Sequence, residues 1–156
     1  MADTPYTPIK TKDYLLLADK FPANAPITVV HMLQFHDVAK YPLSSPHDST
    51  PHASLPPVSG RDAFYQRYMP AAAAAAQEVG ITPAETRFFF TSVVNLLPHS
   101  GDVAWDVVAA RRYQSFGEYA RYQASEAYTT NAVPHRDAAL KNWSLVACLE
   151  QDVPTF

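Results

Sequence analysis

At 156 residues the chain has the length of one domain, and 47% hydrophobic against 17% charged residues excludes a disordered polypeptide. The formal net charge of −3, without any cluster of Lys or Arg, excludes the electrostatic footprint of a nucleic-acid binder and a polybasic membrane-surface segment. No stretch reaches the ~20 apolar residues of a membrane span, and Met1-Ala2-Asp3-Thr4-Pro5 lacks the regions of a signal peptide, so the expectation is a soluble, cytoplasmic protein.

Pro5 and Pro8 mark residues 1–10 as a loose arm, after which Tyr14, Leu15, Leu16 and Leu17 predict a short helix over about 12–20, ended by Pro22. Ile27 to His36 (ITVVHMLQFH) is β-branched and apolar on both alternating faces, as a strand buried on two sides would be. Residues 37–59 carry Pro42, Pro46, Pro51, Pro56 and Pro57, which no helix or central strand accommodates; this is a long loop, read either as a lid or as a surface insertion. Gly60 to Val79 predicts a helix, with an alanine run at 71–76, a kink or break expected at Pro70 and a stop at Gly80. Arg87 to Leu97 and Trp105 to Tyr113 predict two strands joined by Pro98-His99-Ser100-Gly101-Asp102, a hairpin. Ser115 followed by Glu118 is a capping box opening a helix that continues through Tyr128. Pro134 starts a further helical turn over His135 to Leu140, and Trp143 to Glu150 is the last strand. Cys148, the single cysteine, sits in the apolar run Leu145 to Leu149 and is expected to be a buried, unreactive thiol.

The order strand, helix, strand, strand, helix, strand is the split βαβ plan of an α+β, ferredoxin-like fold with a four-stranded antiparallel sheet. Neither the Trp105 strand nor the Trp143 strand has a fully polar face. With helices on one face, the other would expose an apolar patch, which a homodimer through the open sheet face would cover around a small-molecule pocket.

Several segments resemble a known family. They are Trp105-Asp106-Val107-Val108-Ala109, then Arg112-Tyr113-Gln114-Ser115-Phe116, Tyr128, and His135-Arg136-Asp137-Ala138-Ala139-Leu140, together with His31-Met32-Leu33-Gln34-Phe35, Tyr41-Pro42 and Gly60 to Tyr68. They are similar to the dimeric α+β-barrel superfamily, closest to its uncharacterised branch called domain of unknown function 1330. The resemblance spans most of residues 12–150. It departs at Gln114, where the branch usually has proline, and at residues 42–57, which are longer and richer in proline. It implies the fold and the homodimer. The superfamily's activities range over cofactor-free monooxygenases, polyketide cyclases, lactone isomerases, haem-degrading enzymes and proteins of no known activity, so the resemblance leaves the chemistry open.

The chain has no GxGxxG, P-loop or HExxH, and none of its six histidines has a second ligand at helical spacing, so neither a metal nor an organic cofactor is called for. That leaves proton transfer in an apolar pocket. His31 lies mid-strand, where it is either an acid/base group or a core residue; His135 and Arg136 are either an acid/base and oxyanion pair or a structural ion pair and cap. Tyr65, Tyr68, Tyr113 and Tyr128 are core aromatics or donors to a ligand oxygen, Phe88, Phe90 and Trp105 suit an aromatic ligand, and Asn95 interrupts an apolar strand as a ligand contact would. The leading expectation is a cofactor-free cyclase, isomerase or lyase acting on a small hydrophobic carbonyl or polyketide-like compound. The alternatives are a non-catalytic small-molecule-binding or structural homodimer, and a cofactor-free monooxygenase or haem-handling protein.

Overall fold

The computed structural model describes residues 11–42, 55–81, 88–92 and 104–149. Helix α1 (Thr11–Ala18) precedes strand β1 (Ile27–Phe35). Next come α2 (Gly60–Ala63), a π-helical turn (Phe64–Tyr68) and α3 (Met69–Glu78), which form one continuous helix. Strands β2 (Phe88–Ser92) and β3 (Val107–Tyr113), helix α4 (Phe116–Ala124), a second π-helical turn (Tyr128–Ala132), α5 (Val133–Ala139) and β4 (Leu140–Leu149) follow among the described residues. The four strands form one antiparallel sheet in the order β2-β3-β1-β4, so the α+β class read from the sequence is the one that forms.

β1 is central, paired with β3 from Ile27↔Tyr113 to Leu33↔Val107 and with β4 from Ile27↔Leu149 to Leu33↔Trp143. Side chains alternate across a strand. Ile27, Val29 and Leu33 therefore face the helices and are almost fully sealed. Thr28, Val30, Met32 and Gln34 project from the opposite face and are half-buried. Across that outer face run Val108, Ala110, Val146 and Cys148. Cys148 is exposed, which corrects the buried thiol expected from its apolar run. β4 is an edge strand, and its register sets Cys148 opposite Thr28 on the face that this chain's helices leave uncovered.

Local chemistry explains most element ends. Ser59 caps α2, its Oγ accepting from the Asp62 N–H at 3.0 Å. Gly60 is required by close approach: its N–H donates to the His36 carbonyl, and a Cβ there would overlap the carbonyl oxygens of His36 and Ala139. The kink expected at Pro70 appears instead as the π-turn just before it. Pro70 sits in the first turn of α3, where its missing N–H and ring are tolerated once the preceding turn widens. Gly80, at φ 81°, ends α3 as expected, and the Ile81 N–H returns to the Ala76 carbonyl at 2.8 Å. That turn delivers Ile81 into the core.

The capping box is present with a shift of one residue. Ser115 Oγ accepts from the Glu118 N–H, while the Glu118 carboxylate accepts from the Gln114 N–H. α4 stops at Ala124 rather than continuing, because Ser125 leaves helical geometry and its Oγ donates to the Tyr122 carbonyl. β3 starts at Val107, later than expected, because the Asp106 carboxylate accepts the Phe35 N–H at 2.8 Å and tethers the approach to the strand. β4 starts at Leu140, earlier than Trp143, with a bulge between Gln34 and Phe35 that brings Leu140 opposite Phe35. Between residues 37 and 59, Lys40 bonds the Ala138 carbonyl and Ala39 the Val58 carbonyl; most of the loop read as a lid lies outside the described residues.

Candidate functional site

Between the helix-facing side of the sheet and α3 lies a cavity of about 230 Å³. Its sheet wall is His31 and Leu33 of β1 with Ala109, Arg111 and Tyr113 of β3. Its helix wall is the alanine run, Ala72, Ala73 and Ala76, flanked by Phe64, Tyr68 and Met69, with Ile81 beyond the turn. Tyr122 and Gln123 of α4 close the side. The space exists because methyl groups cannot span the gap between a helix and a sheet that larger side chains would fill. All of these lining residues belong to one chain.

His31 shares its face with Ile27, Val29 and Leu33, yet it alone of these four keeps appreciable accessible surface. The accessible surface is that of the cavity. Desolvation, reinforced by the Arg111 charge, pushes its pKa down from 6.5 to about 4, so the ring is neutral at pH 7. Gln123 is only 6% exposed and, tyrosines aside, is the one buried polar residue among the described residues. Among the described residues neither side chain has a hydrogen-bond partner. Arg111 lies over the rings of Tyr113 at 5.1 Å and Tyr122 at 6.0 Å, and no carboxylate pairs with it among the described residues.

The tyrosines around the cavity are held protonated. Burial raises Tyr113, and raises Tyr68 and Tyr122 well above the ordinary phenol value. Tyr122 donates to the Ala72 carbonyl at 3.1 Å, pinning α4 to α3. The two π-turns meet where the Tyr68 and Tyr128 hydroxyls lie 3.0 Å apart.

His31, Leu33, Phe64, Tyr68 and Gln123 also border a side chamber of about 30 Å³, closed beyond them by Tyr119, Tyr128, Arg136 and Trp143. That is space for a water molecule, not for an organic ligand. Arg136 reaches it while paired with Asp137 at 2.8 Å and lying over Trp143 at 5.3 Å.

The structure thus gathers His31, Tyr68 and Tyr113 at the main cavity and places Tyr128 and Arg136 at the side chamber. His135 borders neither; its Nδ1 meets the Tyr41 hydroxyl at 2.9 Å. Tyr65 packs on Phe35 and Phe64 with Arg61 over its ring, away from both chambers, and Trp105 precedes β3 outside them. Phe88 and Phe90 pair in register with Arg111 and Ala109, two cavity positions. Asn95 lies outside the described residues.

Sequence reasoning missed Arg111 and Gln123 as site residues. Arg111 carried a signal: it interrupts the alternating set Trp105, Val107, Ala109, Tyr113, and an arginine on an apolar strand face has to be explained. Gln123 carried none, since a glutamine on a helix is ordinarily solvated. Among the described residues no group of three or more His, Cys, Asp or Glu could hold a metal ion, and no helix is long and apolar enough to cross a membrane.

No family model matches the chain, and no curated protein matches it. Among solved structures the fold is similar to that of RPA0582, a protein of unknown function from Rhodopseudomonas palustris: 18% identity and TM-score 0.69, over 94% of this chain and 97% of that one. The methylated form of RPA0582 superposes at TM-score 0.72 with 17% identity, over 96% of this chain and 98% of that one. At these identities the likeness is one of fold.

Proposed function

We propose that the protein is a cofactor-independent enzyme that moves a proton at the carbon next to a carbonyl of a small hydrophobic compound, as a cyclase, isomerase or lyase does. One observation carries the reading: a neutral imidazole, a glutamine amide and a guanidinium that pairs with no carboxylate among the described residues line one apolar cavity. Polar groups gathered in an apolar cavity, one of them with its pKa shifted by burial, mark a candidate site. In this reading His31 takes the proton, and the carbonyl oxygen gains the charge that C–H cleavage leaves behind. Arg111 and the Gln123 amide hold that oxygen. The weak basicity of His31 comes from burial and the Arg111 charge. An enolate beside it offsets the Arg111 charge, so imidazolium and enolate form as a pair where a lone imidazolium is penalised.

The same reading keeps the ferredoxin-like family's homodimer on the outer sheet face, over Val30, Met32, Val108 and Val146, but gives that interface no part in the cavity. In such a dimer the Cys148 thiol reacts with a thiol reagent more slowly as protein concentration rises.

Deuterium exchange tests the chemistry. Phenylacetone in D₂O, followed by proton NMR, should lose its α-protons faster with the protein than in buffer. His31→Gln should abolish the acceleration while circular dichroism shows an intact fold. A rate equal to buffer with the unmodified protein favours the alternative, a binding protein without catalysis.

A further inference from the structure

Building on that reading of the cavity, we infer that it also binds a monoanion with a single ring, or an aliphatic body of equal size, whose carboxylate is held by Arg111 and Gln123 in the place of the substrate's enolate oxygen while its apolar part lies on the alanine face of α3. Size sets the first limit. A 150 Å³ apolar cavity holds benzene. In proportion, about 230 Å³ suits roughly nine or ten heavy atoms, one ring with a short substituent. Multi-ring polyketides and a haem macrocycle exceed it.

Charge sets the second limit. Although the chain as a whole is formally −3, the cavity lining among the described residues contains one fixed charge, that of Arg111, and no Asp or Glu. The Arg111 guanidinium is partly buried, and its contacts with Tyr113 and Tyr122 supply no opposite charge. A ligand carboxylate restores the charge balance, and a guanidinium matches its planar geometry better than any other side chain does.

Hydrogen bonding sets the third. Gln123 is only 6% exposed, lines the cavity and makes no hydrogen bond among the described residues, so its amide N–H groups can donate to a second ligand oxygen. The rest of the surface is apolar. Ala72 and Ala76, one turn apart on α3, make a flat methyl wall suited to the face of a ring, opposite Leu33 and Ala109 of the sheet.

Titration calorimetry on the full chain tests this with four probes: phenylacetate, the neutral 2-phenylethanol, the cationic benzylamine and the oversized 1-pyreneacetate. Phenylacetate should bind at least tenfold more tightly than 2-phenylethanol, with no detectable heat from benzylamine or 1-pyreneacetate. Arg111→Gln should erase the advantage of phenylacetate and leave 2-phenylethanol unchanged, and Ala76→Leu should remove both by filling the space. If Arg111→Gln fails to fold, Gln123→Leu serves instead and should weaken phenylacetate selectively. Equal binding of the acid and the alcohol, absence of binding by all four, or phenylacetate affinity unmoved by either polar variant overturns the inference. Selective binding of the acid with phenylacetone exchange at the buffer rate leaves this inference standing and removes catalysis. His31-dependent exchange without selective acid binding does the reverse.

Discussion

Two groups of polar side chains lie on the same layer between helices and sheet, and they have been treated in opposite ways by the fold. Around Tyr41, His135, Arg136 and Asp137 the groups are matched: hydroxyl to imidazole at 2.9 Å, guanidinium to carboxylate at 2.8 Å, with Trp143 beneath the guanidinium. Around the cavity, His31 and Gln123 make no hydrogen bond among the described residues, and Arg111 has aromatic contacts but no carboxylate. The first arrangement is what holds α5 and the exit of β1 in place. The second costs stability, and a cost of that kind persists where a ligand recovers it. Residue type did not distinguish them, since both contain a histidine and an arginine; partnership does.

The sharpest way to break this contrast is acid. The unfolded chain takes a proton on His31 at pH 6.5, whereas the folded chain resists until about pH 4. Stability intact above pH 6.5 is therefore lost as pH falls toward 4, by roughly 3 kcal/mol for that shift. Urea denaturation across this range, compared with His31→Leu, reads the difference. Superimposable curves for the two proteins would show that His31 is not desolvated.

His31→Leu should also melt higher than the unmodified protein at pH 7.5, by the equivalent of roughly 1–2 kcal/mol, because it removes an unpaired buried polar ring. A lower melting temperature would mean the imidazole has a structural partner after all. Tyr68→Phe, which strands the Tyr128 hydroxyl between the two π-turns, should cost about 1–2 kcal/mol in the same assay. Smallest is Tyr41→Phe. It should cost about 1 kcal/mol by chemical denaturation and leave phenylacetate affinity as it was. A changed affinity would erase the line between the two groups.

The elements themselves were largely legible. β-branched residues announced β1, Ser115 and Glu118 announced α4, Pro134 fell in the first turn of α5, and Gly80 ended α3. These signals are local, carried by backbone preference within a few residues. What escaped depends on distant segments meeting. Cys148 reads as core along its own strand, and only the register against Thr28 shows which face it occupies. Leu140 joins β4 because Phe35 lies opposite it. The alanine run announced a helix and close packing. That its methyls would leave a void opposite His31 required knowing what stood across from it. His31 stands out in the sequence as a polar residue in an apolar strand, and Arg111 meets the same criterion.

The wide turn at Phe64–Tyr68 has a consequence for how this chain can vary. One residue along a helix is a rotation of about 100°, so the extra residue in that turn sets the phase of Gly60, wedged against His36 and Ala139, relative to Ala72 and Ala76 further on. Deleting a single residue there, Gln66 for example, would relax the turn to α geometry. Either the glycine would then swing out of its seat or the methyl wall would turn off the sheet. A shorter homologue that retains the glycine should therefore carry a different residue pattern over the next two turns.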